Sequence, residues 1–218
     1  MNDKKAFGKL YLIPTVIAPD TFDQTLPAAV KATANNIKYF LVENVRTARR
    51  FLSALGIEQA ISSLHFELLD KRTTEDELQR LLAPLKQGED VGVMSEAGCP
   101  GVADPGALAV AYAHRQGINI VPLVGPSSFL LALMGSGFSG QSFVFHGYLP
   151  IDKGARVNTI KKIEQQSREL QQTQIFMETP YRNNQLLDAL LKNCHPKTHL
   201  CIARNLTGTN ELLKTMRI

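Results

Sequence analysis

The sequence predicts an α/β fold with a mainly parallel β-sheet, and three observations support this prediction. Short apolar runs alternate with amphipathic stretches along the whole chain of 218 residues. Two of the amphipathic stretches carry clear start and stop signals for helices. Loops rich in glycine and proline follow three of the apolar runs. Alternation of strands and helices in this manner is typical of a sheet whose strands run parallel.

The apolar runs are the candidate strands, because each is too short for a helix and is bounded by polar or turn-forming residues. They cover residues 10–13, 39–42, 91–94, 118–121, 143–145, 174–177 and 200–203. Helical periodicity lies between these runs, so we expect the strands to be connected by helices.

Two helices have recognisable ends. In residues 44–56, Asn44 provides an N-cap, an apolar stripe follows on one face, and Gly56 ends the helix. Residues 74–87 begin with Thr74 and Glu77, whose spacing is that of a capping box. The apolar segments 107–112 and 129–134 predict two further helices.

We expect a domain change after the strand at residues 118–121. The sequence GPSS at 125–128 follows that strand and opens a strongly apolar helix, and a stretch rich in glycine and serine comes next. This interruption predicts an N-terminal α/β domain over residues 1–122 and a C-terminal α/β domain over residues 123–218.

The composition excludes several classes of protein. The three cysteines, Cys99, Cys194 and Cys201, form no CxxC pair and the five histidines are scattered, so we expect no disulfide framework and no metal site. There is no apolar run of about 18 residues and no apolar N-terminal leader, so we expect no membrane span and a cytoplasmic protein. A net charge of +4 permits a polyanionic partner but does not require one.

The glycine- and proline-bearing loops are the candidate ligand site. They follow the strands at Pro14-Thr15, at residues 95–106 and at residues 122–128. Ligands of open α/β sheets bind at the carboxyl ends of the strands, where these loops would gather. Such loops offer backbone groups more than side chains, which suits a flat polar heterocycle better than a metal. The phosphate-binding glycine motifs, the GxSxG elbow and HExxH do not occur.

A family resemblance rests on these loops. LYLIPT, MSEAGCPGVADPG, VPLVGPSS, FHGYLP, FMETPYR and ARNLT occur in this order and resemble the tetrapyrrole methylase superfamily. They are most similar to its branch of ribose 2′-O-methyltransferases that act on small-subunit ribosomal RNA. The resemblance spans residues 8 to about 211. It implies S-adenosylmethionine as methyl donor, two α/β domains with the cofactor in the cleft between them, a homodimer, and ribosomal RNA or the small subunit as substrate.

The resemblance also implies which residues bind the cofactor. They come from the loops after the first strand and the third predicted strand, from the GPSS turn, and from two strands of the second domain. They are Ile13, Pro14, Gly98, Cys99, Pro100, Val102, Ser127, Ser128, Met177 and Ala203. Cys99 stands where the branch usually has threonine, and we interpret it as a buried small side chain, not as a catalytic thiol.

Methyl transfer to a ribose hydroxyl requires a group that takes up the proton. Glu43, Glu96 and Glu178 are candidates, because each lies at or just past a strand end. Glu43 ranks first, since with Arg46 it matches an acidic-then-arginine motif of the family. Basic residues that could meet RNA phosphates are Arg46, Arg49 and Arg50 on one helix face, together with Lys153, Arg156, Lys161, Lys162, Arg182 and Arg204.

Two departures from the branch leave the acceptor open. The chain has Val16-Ile17-Ala18-Pro19 where the branch has proline-isoleucine-glycine-asparagine, and residues 43–46 read ENVR where it has glutamate-aspartate-threonine-arginine. A related but distinct acceptor is one alternative. A tetrapyrrole methyltransferase is another, although residues 98–100 read GCP where those branches have glycine-aspartate-proline. A catalytically inactive homologue that binds the cofactor or RNA is the third.

Overall fold

The computed structural model describes residues 6–218. The chain divides into two compact units, one ending at Ser127 and one running from Ser128 to Ile218. We describe each unit by itself and refer to them as unit 1 and unit 2.

Unit 1 is built on a five-stranded sheet in which every pairing is parallel. Its strands are β1 (Leu10–Ile13), β2 (Tyr39–Val42), β3 (His65–Leu68), β4 (Val91–Met94) and β5 (Ile120–Pro122), in the order β3-β2-β4-β1-β5. The central strand β4 is buried along its whole length. Its Gly92 leaves room for the neighbouring strands, since a Cβ atom there would lie 2.6 Å from Ile13 Cδ1 and 3.1 Å from Phe40 Cδ1.

Helices cover both faces of this sheet. Alternate residues of a strand point to opposite faces, so Phe40 and Val42 pack with α2 (Ala28–Ala34) and α3 (Val45–Leu55), whereas Leu41 packs on the other side. That second face is covered by α4 (Glu75–Leu81), α5 (Ala83–Lys86) and α6 (Gly106–Arg115). The short helix α1 (Phe22–Thr25) precedes α2.

The connections that follow β1, β2 and β4 make the carboxyl end of β4 a topological switch point of the sheet. After β1 and after β2 the chain turns to the face that carries α2 and α3, whereas after β4 it turns to the face that carries α6. Because β4 lies between β1 and β2, the loops diverge on both of its sides at the carboxyl end. Crevices at such topological switch points are the usual ligand sites of open α/β sheets.

Unit 2 contains two separate two-stranded sheets. The strands β6 (Phe143–Tyr148) and β7 (Thr173–Met177) pair in parallel, and β8 (His199–Arg204) pairs with β9 (Leu212–Arg217) in antiparallel fashion. The helix α7 (Ser128–Ser136) packs against β7, β8 and β9. The helices α8 (Lys153–Leu170) and α9 (Asn183–Asn193) pack together around a core that includes Ile160 and Leu190.

The predicted α/β class with a parallel sheet is confirmed, and so are the predicted helix ends in residues 44–56. Asn44 Oδ1 accepts hydrogen bonds from the backbone N–H groups of Arg46 (2.9 Å) and Thr47 (3.3 Å), and Gly56 closes α3 with a φ of 71°. The capping box between Thr74 and Glu77 is present at the start of α4.

Three predictions of secondary structure need correction. The helix predicted over 74–87 is broken at Leu82, because Pro84 in the first turn of α5 has no N–H to continue the α4 ladder. The strand predicted at 118–121 begins later, at Ile120, because the N–H of Ile118 bonds to Ala113 O at the end of α6. The strands β3 and β9 were not predicted. Within residues 6–218, no helix is both long and apolar enough to cross a membrane.

Candidate functional site

The three loops predicted as a ligand site are joined to one another in unit 1. The N–H of Thr15 donates to Gly98 O at 2.9 Å, which links the loop after β1 to the loop after β4. The Cys99 thiol lies 3.3 Å from Pro126 O, which links the β4 loop to the loop after β5. Pro14 packs so closely on Gly125 that a Cβ atom at that glycine would lie 2.1 Å from Pro14 Cβ. The loops therefore form one connected edge.

The long loop after β4, residues 95–106, is held in shape by Asp104. One carboxylate oxygen, Oδ1, accepts from the N–H groups of Gly101 and Gly106, both at 2.7 Å. Gly98 and Gly101 have φ angles of 78° and 84°, which favour glycine, and even Ala103 is left-handed, with a φ of 63°. These bonds and angles explain why the loop is long yet stiff.

One part of this loop is open to a ligand. At Gly98 a Cβ atom would lie 3.2 Å from Pro126 O, so that glycine serves the packing of the loop itself. At Gly101 the nearest atom to such a Cβ would be 3.9 Å away, and the neighbouring Val102 is 43% exposed. The second carboxylate oxygen of Asp104, Oδ2, is buried without a hydrogen-bond partner. Open backbone beside an unsatisfied polar atom fits a ligand that binds through main-chain groups.

The role of Asp104 can be tested by two substitutions. Asp104→Ala removes both accepted hydrogen bonds, and we expect it to lower the free energy of unfolding by about 2 kcal/mol and to weaken cofactor binding. Burial raises the pKa of Asp104, only partly offset by the bonds from Gly101 and Gly106. The charge is therefore not favoured by folding, and Asp104→Asn, which keeps an acceptor oxygen, should be close to the wild type. Urea unfolding and calorimetric titration with S-adenosylhomocysteine measure both effects. Equal losses in both variants would contradict this role.

Cys99 is half-buried, whereas the sequence predicted a buried side chain. Burial raises the pKa of its thiol, and the charge of Asp104 raises it further. The thiol is directed at the carbonyl oxygens of Gly125 and Pro126, at 3.6 Å and 3.3 Å. The thiol therefore joins the loop after β4 to the loop after β5.

A second cluster lies on the other side of β4, where β2 ends. The N–H of Glu96 donates to Glu43 Oε1 at 3.4 Å, and the Thr47 hydroxyl donates to Glu96 Oε1 at 2.5 Å. Glu43 is exposed, and partial desolvation of its carboxyl group by the neighbouring groups raises its pKa. The bond from Glu96 lowers this pKa, the charges of Asp104 and Glu96 raise it, and Lys71 lowers it, with a net upward shift. Within this cluster, Glu43 is the carboxylate whose pKa is raised.

A groove of about 490 Å³ opens at this cluster. Its walls come from the ends of β1, β2 and β4 and from the helices α1 and α3. The lining residues are Thr15, Val16, Pro19, Asp20, Phe22, Val42, Glu43, Asn44, Thr47, Ala48, Arg50, Phe51, Ala54, Met94, Ser95 and Glu96. The groove therefore contains Glu43, the predicted base. It also contains Val16, Pro19 and Asn44, which are positions where the sequence differs from the motifs of the ribosomal RNA branch.

The three arginines of α3 have different surroundings. Arg50 lines the groove, whereas the guanidinium of Arg49 lies 5.3 Å from the ring centre of Phe66 on β3. Arg46 is exposed, and no ion pair to Glu43 is formed within the described part of the chain. All three arginines are exposed, and Arg49 is the one that packs against an aromatic ring.

Three of the predicted cofactor residues lie in unit 2, whereas Pro100 and Ser127, the last residue of unit 1, belong to unit 1. Ser128 is the first residue of α7, Met177 ends β7 and Ala203 lies near the end of β8, the last two half-buried. In unit 1, the structure brings together Pro14, Gly98 and Cys99, with Ile13 buried beneath them at the end of β1.

Two predictions about side chains of unit 2 are corrected. Glu178 is not available as a proton acceptor, because its side chain is only 4% exposed and its carboxylate is paired with Arg182 Nη2 at 2.6 Å. Arg182 is thereby also removed from the candidates for phosphate contacts. Arg156 is 7% exposed and donates to Ile151 O at 3.2 Å, so it too is a structural residue.

Several residues of the site carried no sequence signal that we used. Asp104 belongs to the DPG sequence of the loop. Aspartate side chains in turns often hydrogen-bond to nearby backbone N–H groups, so the DPG sequence was a usable signal for this residue. Thr47 and the ring pair of Phe22 and Phe51, whose centres are 5.6 Å apart, meet only through the fold. Among residues 6–218, no three His, Cys, Asp or Glu side chains group as they would around a metal ion.

The fold and the site define an α/β ligand-binding protein whose loops meet at a topological switch point. Comparison with known proteins places it more narrowly. The family model of tetrapyrrole (corrin/porphyrin) methylases matches residues 22–218. The chain belongs to this family, as the sequence motifs predicted.

Three relatives share the name Ribosomal RNA small subunit methyltransferase I. The protein from Mesorhizobium japonicum is 32% identical over 206 residues, the one from Escherichia coli O157:H7 30% over 206, and the one from Pseudomonas aeruginosa 27% over 209. These alignments cover 94%, 94% and 96% of this chain, and 66%, 68% and 70% of the relatives. The chain thus spans about two thirds of the length of the curated relatives it matches.

A solved structure confirms the fold. The crystal structure of the methyltransferase CobJ matches with a TM-score of 0.64 and 19% sequence identity. The match covers 96% of this chain and 86% of the CobJ chain.

Proposed function

We propose that this chain carries out S-adenosylmethionine-dependent methylation of a ribose 2′-hydroxyl in small-subunit ribosomal RNA. The observation that carries the proposal is the arrangement around β4. On one side of this strand lies a stiff, backbone-rich loop, and on the other lies a groove that contains Glu43. Membership of a methylase family and the names of the relatives support the reaction and the acceptor.

The residues proposed to hold the methyl donor in unit 1 are Ile13, Pro14 and Ser127, together with Gly98, Cys99, Pro100 and Val102 of the β4 loop. In unit 2 they are Ser128, Met177 and Ala203. When bound, S-adenosylmethionine supplies a methyl group that its sulfonium has already activated. The chain is left with the tasks of binding, alignment and proton transfer, and alignment alone contributes much of the rate in such reactions.

Glu43 is proposed as the residue that takes up the proton of the ribose hydroxyl. It lines the groove, and its raised pKa makes it a stronger base than an ordinary glutamate. Glu96 does not have the same freedom, because its carboxylate already accepts the Thr47 hydroxyl. Arg46 is proposed to meet the RNA backbone near Glu43.

A homodimer is part of the proposal. The helix α7 is apolar on all sides, yet Met134 is 79% exposed and Leu130 is 42% exposed. Apolar helices of this kind are normally covered, which supports a second copy of the chain as the cover. A ribosomal substrate also implies a cytoplasmic location. Sedimentation of the purified protein would test the dimer, and a monomer at micromolar concentration would contradict it.

The acceptor is tested by offering several substrates side by side. Labelled methyl groups from S-adenosylmethionine should enter small-subunit ribosomal RNA or the isolated small subunit, and digestion should recover the label on ribose oxygen. Porphyrinogens serve as the competing acceptor. Label in a porphyrinogen and not in RNA would overturn the proposal in favour of a tetrapyrrole acceptor. Saturable binding of S-adenosylhomocysteine without any transfer would indicate an inactive homologue.

RNA binding should depend on salt through Arg46 and Arg50. Each neutralised phosphate releases counterions, so affinity falls steeply as salt rises. In Arg46→Ala/Arg50→Ala we expect weaker binding and a log–log slope that is flatter by roughly one to two units. Arg49→Ala is the matched control, because Arg49 lies against Phe66. A slope unchanged in the double variant, or flattened equally by the control, would show that these arginines meet no phosphate.

A further inference from the structure

The groove beside α3 joins an aromatic wall to a polar one. We infer that it is a pocket for a single unstacked nucleotide of the RNA acceptor, with the base against Phe22 and Phe51 and the ribose toward Glu43. This inference rests on the proposed function, because it names how that acceptor is held. It goes beyond it, because it assigns residues that recognise the base itself.

The aromatic wall consists of two half-buried phenyl rings. Phe22 comes from α1 and Phe51 from α3, and their ring centres are 5.6 Å apart at an interplanar angle of 39°. Both rings line the groove, so neither is fully enclosed by the core. Single-stranded RNA is commonly bound by stacking its bases on aromatic side chains, which works with any base because every base has a π-face.

The polar wall offers both donors and acceptors. The carboxylates of Glu43 and Glu96 accept hydrogen bonds, whereas Arg50 donates. Asn44 uses its side-chain oxygen to cap α3, so its amide nitrogen remains as a donor in the groove wall. The edge of a nucleobase also carries donors and acceptors close together, and Arg50 is suited to the adjoining phosphate.

Size and charge favour one nucleotide over the alternatives. A groove of about 490 Å³ has the size of a small-molecule site, so a base pair within a helix does not enter it and the target base must leave its stack. A tetrapyrrole is disfavoured because its carboxylates would meet Asp20, Glu43 and Glu96. A nucleobase is uncharged and meets no such repulsion.

The proposal is tested with a fluorescent base. The probe is a single-stranded oligoribonucleotide with one 2-aminopurine, whose emission rises when the base leaves its neighbours. The wild type should raise the emission on binding, and Phe51→Leu and Phe22→Leu should reduce this rise and weaken binding roughly 10- to 100-fold. Phe66→Leu is the matched control, because Phe66 stacks on Phe40 and lies outside the groove.

Separate readouts distinguish this inference from the proposed function. Calorimetric titration with S-adenosylhomocysteine should give the same affinity for the Phe51→Leu variant and the wild type, and a thermal melt should show that the variant still unfolds cooperatively. If that variant binds the oligonucleotide and raises its emission as the wild type does, the nucleotide pocket is overturned, whatever the enzyme methylates. If the wild type transfers methyl groups to porphyrinogens alone, the proposed function fails first, and the pocket with it.

Discussion

Glu43→Gln should lower the rate of methyl transfer by about 100-fold and leave the affinity for S-adenosylhomocysteine unchanged. Proton uptake by a positioned side chain contributes about 10²–10⁴-fold to the rate of such reactions. Glutamine has nearly the shape of glutamate and still accepts the Glu96 N–H through its side-chain oxygen, so the groove should keep its form. The loss should therefore appear in the rate constant of single turnovers and not in the binding of the cofactor.

The pH dependence gives an independent check. Glu43 acts as a base only when ionised, and its pKa is raised above the ordinary value of 4.5 by partial desolvation and by neighbouring carboxylates. The rate should therefore fall as the pH drops through that raised value, at a higher pH than an ordinary glutamate would give. In Glu43→Gln this acidic limb should disappear. Glu96→Gln is the matched control, and we expect it to keep most of the rate. An acidic limb that survives in Glu43→Gln would assign the base to another group.

Arg182→Ala should lower the free energy of unfolding of unit 2 by about 3–5 kcal/mol, the range found when one partner of a buried ion pair is removed. The Glu178 side chain is 4% exposed, and its Oε1 accepts from Arg182 Nη2 at 2.6 Å and from Thr179 N at 2.7 Å. Without the guanidinium, a buried carboxylate would keep a single backbone donor. Urea unfolding followed by circular dichroism would measure the loss.

Two further variants make this result specific. Arg204→Ala removes an exposed arginine of the same unit, and we expect a change of no more than about 0.5 kcal/mol. Glu178→Gln/Arg182→Ala removes the unpaired charge and should recover part of the stability lost in Arg182→Ala. If Arg182→Ala is as stable as Arg204→Ala, the pair contributes little and the turn after β7 is held by other contacts.

The parts of the fold that sequence predicted best are those with local signals. The ends of α3 follow from Asn44 and Gly56, and the buried strands β1, β2 and β4 follow from their apolar runs. The edge strand β3 was missed because its residues HFEL are mostly exposed and mix polar with apolar side chains. The strand β9 was missed because its exposed and half-buried residues do not alternate regularly along the strand.

The candidate site likewise has one part that local sequence predicted and one part that it did not. The loop after β4 could be predicted because its glycines and prolines act within the loop, and its links to Thr15 and Pro126 follow from parallel strands ending together. The groove could not be predicted from the sequence, because Phe22 and Phe51 are far apart in sequence. They meet only when α1 and α3 lie on the same face of the sheet. The pairing of Glu178 with Arg182 had an unused signal, since residues four apart often pair.

The position of β4 also bears on how the protein is made. The strands β1 and β2 are not neighbours in the sheet: β1 pairs only with the later strands β4 and β5, and β2 has only the edge strand β3 as a partner until β4 is made. At roughly 5–20 residues per second, the ribosome needs several seconds to reach Val91 after Leu10, and during that time the apolar run LYLI has no strand to pair with and YFLV can pair only with β3. We expect arrested nascent chains that end before Val91 to bind chaperones and to be cut readily by protease. Chains in which Pro122 has left the exit tunnel should resist cleavage, because the last strand of the sheet is then in place.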